Sequence, residues 1–213
     1  MIPAETPAVP GATSSPARPS SVQWRWQWQR IAKRARVPLG FVFAAVYLWL
    51  AKPAWATLAG GSAIVICGLA LRAAASGHVR KNEELTVTGP YQYTRHPLYL
   101  GSLIMALGFA LAARSFWILG AIVLLFVAVY WPVMIAEENF LRAQFPSFVQ
   151  YERDVPRLLP RLLPRLVSRW RTTVGGGAFS RELYRQHREY RAALGALLLL
   201  AALAGKMLWQ GAH

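Results

Sequence analysis

The sequence predicts an all-α protein: a polytopic transmembrane helical bundle of about five spans, arranged as two antiparallel hairpins plus a C-terminal helix. Three observations predict it. The 213 residues are 55% hydrophobic and only 15% charged, more apolar than one ordinary soluble domain. The apolar residues come in blocks, several near the ~20 residues a helix needs to cross the hydrocarbon of a bilayer. The 24 Lys and Arg outnumber the 9 Asp and Glu and sit beside these blocks, a placement that favours anionic lipid headgroups as partners and argues against nucleic acid.

In chain order, residues 1–20 are rich in Pro, Ala, Ser and Thr and bury too little apolar surface to fold, so they read as a disordered tail. They lack the charged start and apolar core of a cleavable signal peptide, so the spans themselves must direct insertion. Within 21–37, "WRWQWQRIAKRAR" interleaves three Trp with five basic residues. It fits a helix lying at headgroup level, or a basic flank that fixes orientation. The five apolar segments run 38–51, 54–75, 98–113, 115–136 and 192–209. The second and fourth are comfortable spans; the first and third are short unless their flanks join in. Short connections at "KPAW" and "AARS" make antiparallel hairpins the natural packing. Gly60, Gly61, Ser62 and Gly68 permit close helix approach. Cys67 stands alone in the chain, which excludes an intramolecular disulfide.

Between spans, 161–191 is a basic segment, and 192–213 carries the last helix. In "PRLLPRLLPRLVSRW" (156–170) proline recurs every four residues, which prevents a regular helix. It reads as a lipid-dipping anchor or as a cover for a site. "VGGGAFS" (174–180) reads as a hinge. Counting Arg72 at the end of the second span with the loop that follows it, basic residues number 21 before the first span, between the second and third, and between the fourth and fifth, against Lys52, Arg114 and Lys206 on the other side. The positive-inside rule therefore predicts a cytoplasmic N-terminus, with 76–97 and 137–191 cytoplasmic too, as expected for a bacterial inner-membrane protein.

Polar chemistry gathers on that side. "GPYQYTRHPLYLG" (89–101) opens the third helix, and Glu137 and Glu138 emerge from lipid where the fourth ends. Carboxylates at the edge of hydrocarbon are costly without partners. A simple ion pair of Glu137 or Glu138 with Arg95 or Arg142 is one reading. The other is a pocket for a ligand bearing both charges. Arg95 and His96 offer donors, Pro97 suits a first helical turn, Tyr99 shares a face with His96, and the helix start attracts an anion. Glu137 would then meet an amino group or a sulfonium.

"ELTVTGPYQYTRHPLYLG" (84–101) followed by "EENFLRAQF…YERDVPRLLP" (137–160) resembles the isoprenylcysteine carboxyl methyltransferase family and its relatives among phospholipid methyltransferases. The resemblance runs from Arg80 to Pro160, within a core of 38–160. It implies S-adenosyl-L-methionine in a pocket open to the cytoplasm and a lipophilic methyl acceptor entering from the bilayer. It assigns cofactor contacts to Leu85, Thr86, Tyr91, His96, Pro97, Leu98, Tyr99 and Glu137. Methyl transfer from a sulfonium needs mainly positioning. A carboxylate acceptor needs no base, whereas a phenol or amine must lose a proton. Glu138 or His96 would take it, and Arg95 would orient an anionic acceptor.

The chain departs from the eukaryotic isoprenylcysteine enzymes before the paired glutamates. There "WPVMIAEE" (131–138) lacks the arginines that resemblance would place near a prenylcysteine carboxylate, so an isoprenoid, a phenolic lipid or phosphatidylethanolamine comes into view. Pro146 and Phe148 also stand where many relatives have Gly and Tyr, a change expected to affect packing. Three function classes follow: a membrane methyltransferase with carboxyl or hydroxyl acceptors favoured, a non-catalytic scaffold keeping the fold, or a transporter. The sequence argues against the last, with no charge at mid-span and no paired broken helices.

Overall fold

The computed structural model describes residues 42–79, 84–160 and 179–211, and among them every regular element is helical. One compact unit, Ala44–His213, holds the elements discussed below; of the other, Met1–Phe43, only the last two residues are described, and they are helical. The expected tail (1–20), the Trp-rich segment (21–37), Arg80 and the repeat from 161 onward lie outside the described residues.

Residues 42–50 form α1, followed by α2 (Trp55–Ser76), a 3₁₀ turn (Gly89–Gln92), α3 (Pro97–Ala113) and α4 (Phe116–Leu125). A π-helical segment (Phe126–Tyr130) joins α4 without a break to α5 (Trp131–Gln144). Then come α6 (Phe148–Asp154), α7 (Arg181–Gln186) and α8 (Tyr190–Gly211). Among the described residues, three helices are long and apolar enough to cross a membrane: Trp55–Ser76, Phe116–Gln144 and Tyr190–Gln210, while Pro97–Ala113 is shorter. At 1.5 Å per residue the 29-residue helix Phe116–Gln144 is about 44 Å long, more than the ~30 Å of hydrocarbon. It therefore carries its last turns, with Glu137 and Glu138, to the membrane boundary.

The tightest packing joins the two expected hairpins to each other, through α2 and α3. The cause is four glycines, seven residues apart in each helix and facing in antiparallel register. A Cβ on Gly61 would stand 2.5 Å from the Gly108 oxygen, and one on Gly68 would stand 2.7 Å from the Gly101 oxygen. Lipid tails are as apolar as leucine, so close backbone approach between small residues, not hydrophobic burial, holds such helices together. Gly60, by contrast, only meets a Leu111 methyl at 3.7 Å.

At the end of the bundle near the 51–54 connection, Tyr47, Ala51, Leu58, Ala112, Ile118 and Leu203 form a buried cluster. Lys206 of α8 donates to the carbonyls of Leu48 and Ala51, each at 2.6 Å, pairing oxygens that the end of α1 leaves without helical partners. The closing helix is thus built into the bundle, although the four preceding spans give no sign of needing it. Exposed Trp49, Trp55, Phe116, Trp117 and Trp209 ring this end, the amphipathic belt of a membrane–water interface. The polar residues of 84–101 and 137–160 collect at the other end.

Candidate active site

The loop that enters α3 is held by a second buried cluster, Val87, Phe148, Tyr151 and Val155, with Leu85, Leu141 and Phe145 packed against it. Phe148 is almost wholly buried there, so its place is packing, as expected. The Tyr151 hydroxyl donates to the Tyr91 carbonyl at 2.7 Å, and burial pushes that phenol well above its ordinary value. Gly89 makes the turn with φ +60°, and a Cβ there would strike the His78 ring. The irregular stretch after α6 closes over this loop: the Arg95 N–H donates to the Pro156 carbonyl at 2.9 Å, and the Thr94 hydroxyl to the Arg157 carbonyl at 3.0 Å. The described beginning of the proline repeat is therefore hydrogen-bonded to the loop that enters α3.

Glu138 is the centre of the buried part. Its side chain is 2% exposed and accepts from His96 Nε2 at 3.1 Å and from Arg157 Nε and Nη2, the latter at 2.7 Å. Arg95 Nη1 lies 3.0 Å from the same carboxylate, yet Arg95 Nε and Nη1 make no hydrogen bond, so Arg95 attracts by charge without a directed bond. Arg157 also lies over the Trp131 ring at 5.2 Å, and its hydrogen bonds to Glu138 hold its pKa above the ordinary value. Three segments distant in sequence meet in this knot: the start of α3, α5 from Trp131 to Glu138, and the stretch after α6. The ion-pair expectation is met by Arg95 and Glu138, while Arg142 turns to Glu152 at 2.8 Å and Asn139 at 2.9 Å.

Glu137 faces the other way. Its side chain is 46% exposed; it accepts from the Tyr99 hydroxyl at 3.0 Å, and its carboxylate stands 4.0 Å from His96 Nδ1. Beside it runs a file of rings: His96 to Tyr99 at 5.5 Å, Tyr99 to Tyr130 at 5.6 Å, and Tyr130 stacked on Phe126 at 5.3 Å. The π segment sets this file. Pro132 has no N–H to give, and the Trp131 N–H reaches back five residues to the Phe126 carbonyl. The extra residue in the turn re-aims Tyr130.

Tyr91 is buried, and its phenol is pushed up first by burial and then by the charges of Glu137, Tyr99 and Glu189. Pro97 is fully buried at the first turn of α3, where His96 is the N-cap without a side-chain capping bond. Leu98 is half-buried, and its carbonyl accepts from Ser102 at 2.9 Å and from Arg72 Nη1 at 3.4 Å. Direct contacts thus unite Arg95, His96, Tyr99, Glu137 and Glu138. Leu85 packs in the Val87 cluster, and Thr86 follows it, half-buried, ahead of the turn.

Sequence reasoning missed Arg157, Trp131 and Tyr130, and it missed Arg72, whose guanidinium bonds Glu189 at 2.9 and 3.0 Å and also the Ser102 hydroxyl. Only Arg72 had a legible signal, a charge inside an otherwise apolar helix. A groove of about 240 Å³ lined by Ile66, Leu69, Ala73, Tyr184 and Glu189 lies between α2 and the start of α8. Of its lining residues, Glu189 is the one bonded to Arg72.

Residues 69–147 match the family model described as phospholipid methyltransferase. The cobalt-zinc-cadmium resistance protein CzcN of Cupriavidus metallidurans is 38% identical over 77 residues, 36% of this chain and 36% of that protein. The nickel-cobalt-cadmium resistance protein NccN of Alcaligenes xylosoxydans xylosoxydans is 36% identical over 77 residues, again 36% of each. The matched stretch spans about a third of the length of either relative. No solved structure matches. The region carrying Arg95, His96, Tyr99, Glu137 and Glu138 is therefore the one similar to the phospholipid methyltransferases, which supports a membrane methyltransferase family for it.

Proposed function

We propose that the chain is an S-adenosylmethionine-dependent methyltransferase that methylates a lipid or isoprenoid-type acceptor at the membrane face where α3 begins and α5 ends. By the distribution of its basic residues, that face is cytoplasmic. One observation carries the reading: a half-exposed carboxylate, Glu137, held by Tyr99 beside a helix start, inside the stretch similar to phospholipid methyltransferases.

The donor set fits the cofactor. Glu137 is an acceptor for its ammonium group, the first-turn N–H groups of Leu98 and Tyr99 suit its carboxylate, and Tyr99, Tyr130 and Tyr91 offer faces to adenosine and to a sulfonium. When bound, the cofactor supplies an activated methyl group; the protein's part is to orient the acceptor and exclude water.

The test is calorimetric binding of S-adenosylmethionine and S-adenosylhomocysteine to the detergent-purified protein, with Glu137→Ala alongside. Saturable binding that the variant loses supports the reading. Folded wild type that binds neither compound, in detergent or in lipid, overturns it in favour of a scaffold keeping the fold. The two relatives are named for metal resistance, so growth of a strain lacking this chain on cobalt, zinc, cadmium and nickel salts is the physiological companion to that assay.

A further inference from the structure

The two glutamates differ in a way that bears on the acceptor, granted the methyltransferase reading above. We propose that the acceptor is a protic nucleophile, a hydroxyl or an amine that must lose a proton, and that His96 Nδ1 takes this proton while Glu138 and Arg157 hold the ring.

The argument begins with hydrogens. An ionised carboxylate only accepts, so His96 Nε2, 3.1 Å from Glu138 Oε1, carries the hydrogen of that bond. A ring that carries only this hydrogen presents a bare lone pair at Nδ1. Nδ1 looks toward the open side, 4.0 Å from Glu137 Oε2, too far for a hydrogen bond. The ring is only 4% exposed, with Pro97 fully buried beside it. A carboxylate orienting one imidazole nitrogen and leaving the other free is the arrangement a general base requires.

The cations nearest the mouth point the same way. A carboxylate acceptor would need one as its partner. Among the described residues, however, Arg157 bonds Glu138 and Arg142 bonds Glu152, while Arg95, whose Nε and Nη1 make no hydrogen bond, has its charge offset by Glu138 at 3.0 Å. An anionic acceptor would instead meet Glu137 and a bare lone pair. A neutral hydroxyl or amine avoids both repulsions and needs the base that is there.

The balance is as follows. The bond from the methyl carbon to sulfur breaks with its electron pair remaining on sulfur, and the acceptor's lone pair forms the new bond to carbon. The acceptor's proton moves to Nδ1, so the positive charge lost at sulfur reappears on an imidazolium that stays opposite Glu138. The imidazolium gives this proton up to solvent once the products have left. The charged and titratable groups facing His96 are Glu137 and Glu138 from α5, Arg157 from the stretch after α6, and Arg95 and Tyr99 from its own neighbourhood.

The test uses the full chain in detergent or nanodiscs, in three measurements. Calorimetry with S-adenosylhomocysteine compares wild type with His96→Gln, which keeps an N–H toward Glu138. Methyl transfer, compared at cofactor concentrations that saturate each protein, is expected to fall roughly 10²–10⁴-fold in the variant, the usual worth of a general base. Histidine ¹⁵N spectra, assigned with the same variant, are expected to show His96 protonated on Nε2 and bare on Nδ1. Arg157→Gln, which leaves Glu138 in place, should perturb that signal. Finally, lipid labelled from methyl-tritiated cofactor is treated with mild base; an ether or methylamine keeps the label, and chromatographic separation of neutral from cationic lipid tells these two apart.

Wild type that binds no cofactor product overturns the methyltransferase reading and this proposal with it. Binding with a base-labile label, a hydrogen on Nδ1, or full activity in His96→Gln overturns this proposal and leaves the methyltransferase reading standing.

Discussion

Glu137 and Glu138 are adjacent in sequence and opposite in circumstance. A residue buried among two guanidiniums and an imidazole is structural support whatever else it does, because its removal strands charges away from water. Glu138→Ala is expected to lower unfolding stability by roughly 3–5 kcal/mol, the cost of breaking a buried ion pair from one side, as read by denaturant titration in detergent. Glu137→Gln leaves that knot intact and should hold stability. Its loss shows instead in cofactor affinity, weakened by roughly 10- to 100-fold for one charge-assisted bond. Tyr99→Phe, which removes only the phenol bonded to Glu137, should cost about 1 kcal/mol in the same calorimetric assay. Most of these residues were legible in the sequence because they lie within two short runs. Arg157 was not, since a Pro-Arg-Leu-Leu repeat reads equally well as an anchor for lipid phosphates.

Helix α3 is placed by glycine. Its register against α2 depends on Gly68 facing Gly101 and Gly61 facing Gly108, where no Cβ fits. Gly68→Leu is therefore expected to destabilise by roughly 1–3 kcal/mol through overpacking, and to shift the start of α3 with its His96 and Tyr99. Thermal unfolding and cofactor binding should both fall. The π segment makes a contrasting prediction: Pro132→Ala restores a missing N–H donor, so the thermal midpoint should hold or rise. Relaxation toward a regular helix turns Tyr130 away from Tyr99, and cofactor affinity should drop. A variant that binds normally would mean that the ring file has no share in the pocket.

Across the whole molecule, α8 is tied to the preceding helices at both ends, by the Arg72–Glu189 pair near the site and by Lys206 on the carbonyls of α1. Arg72→Met should cost roughly 1.5–3 kcal/mol, the range for hydrogen bonds to charged groups. Because Arg72 also donates to the Leu98 carbonyl and the Ser102 hydroxyl in the first turns of α3, the same variant should also alter cofactor affinity, whereas Lys206→Met should lower stability alone. Denaturant titration with calorimetry separates the two.

What the sequence by itself determined is the helical, membrane-spanning character of the chain and the end at which its polar residues gather. Both follow from segment-local physics. A run of apolar residues in lipid must satisfy its own backbone, hence the helices, and short connections then send Arg95, His96, Glu137 and Glu138 to one end. What only the tertiary structure decided is which glutamate is buried, where Arg157 docks, and that the last helix belongs to the bundle. In a span whose faces are nearly all apolar, the hydrophobic pattern carries little information about rotation about the helix axis. That rotation is set by glycine contacts, a π turn and a few buried charges, whose partners lie tens of residues apart.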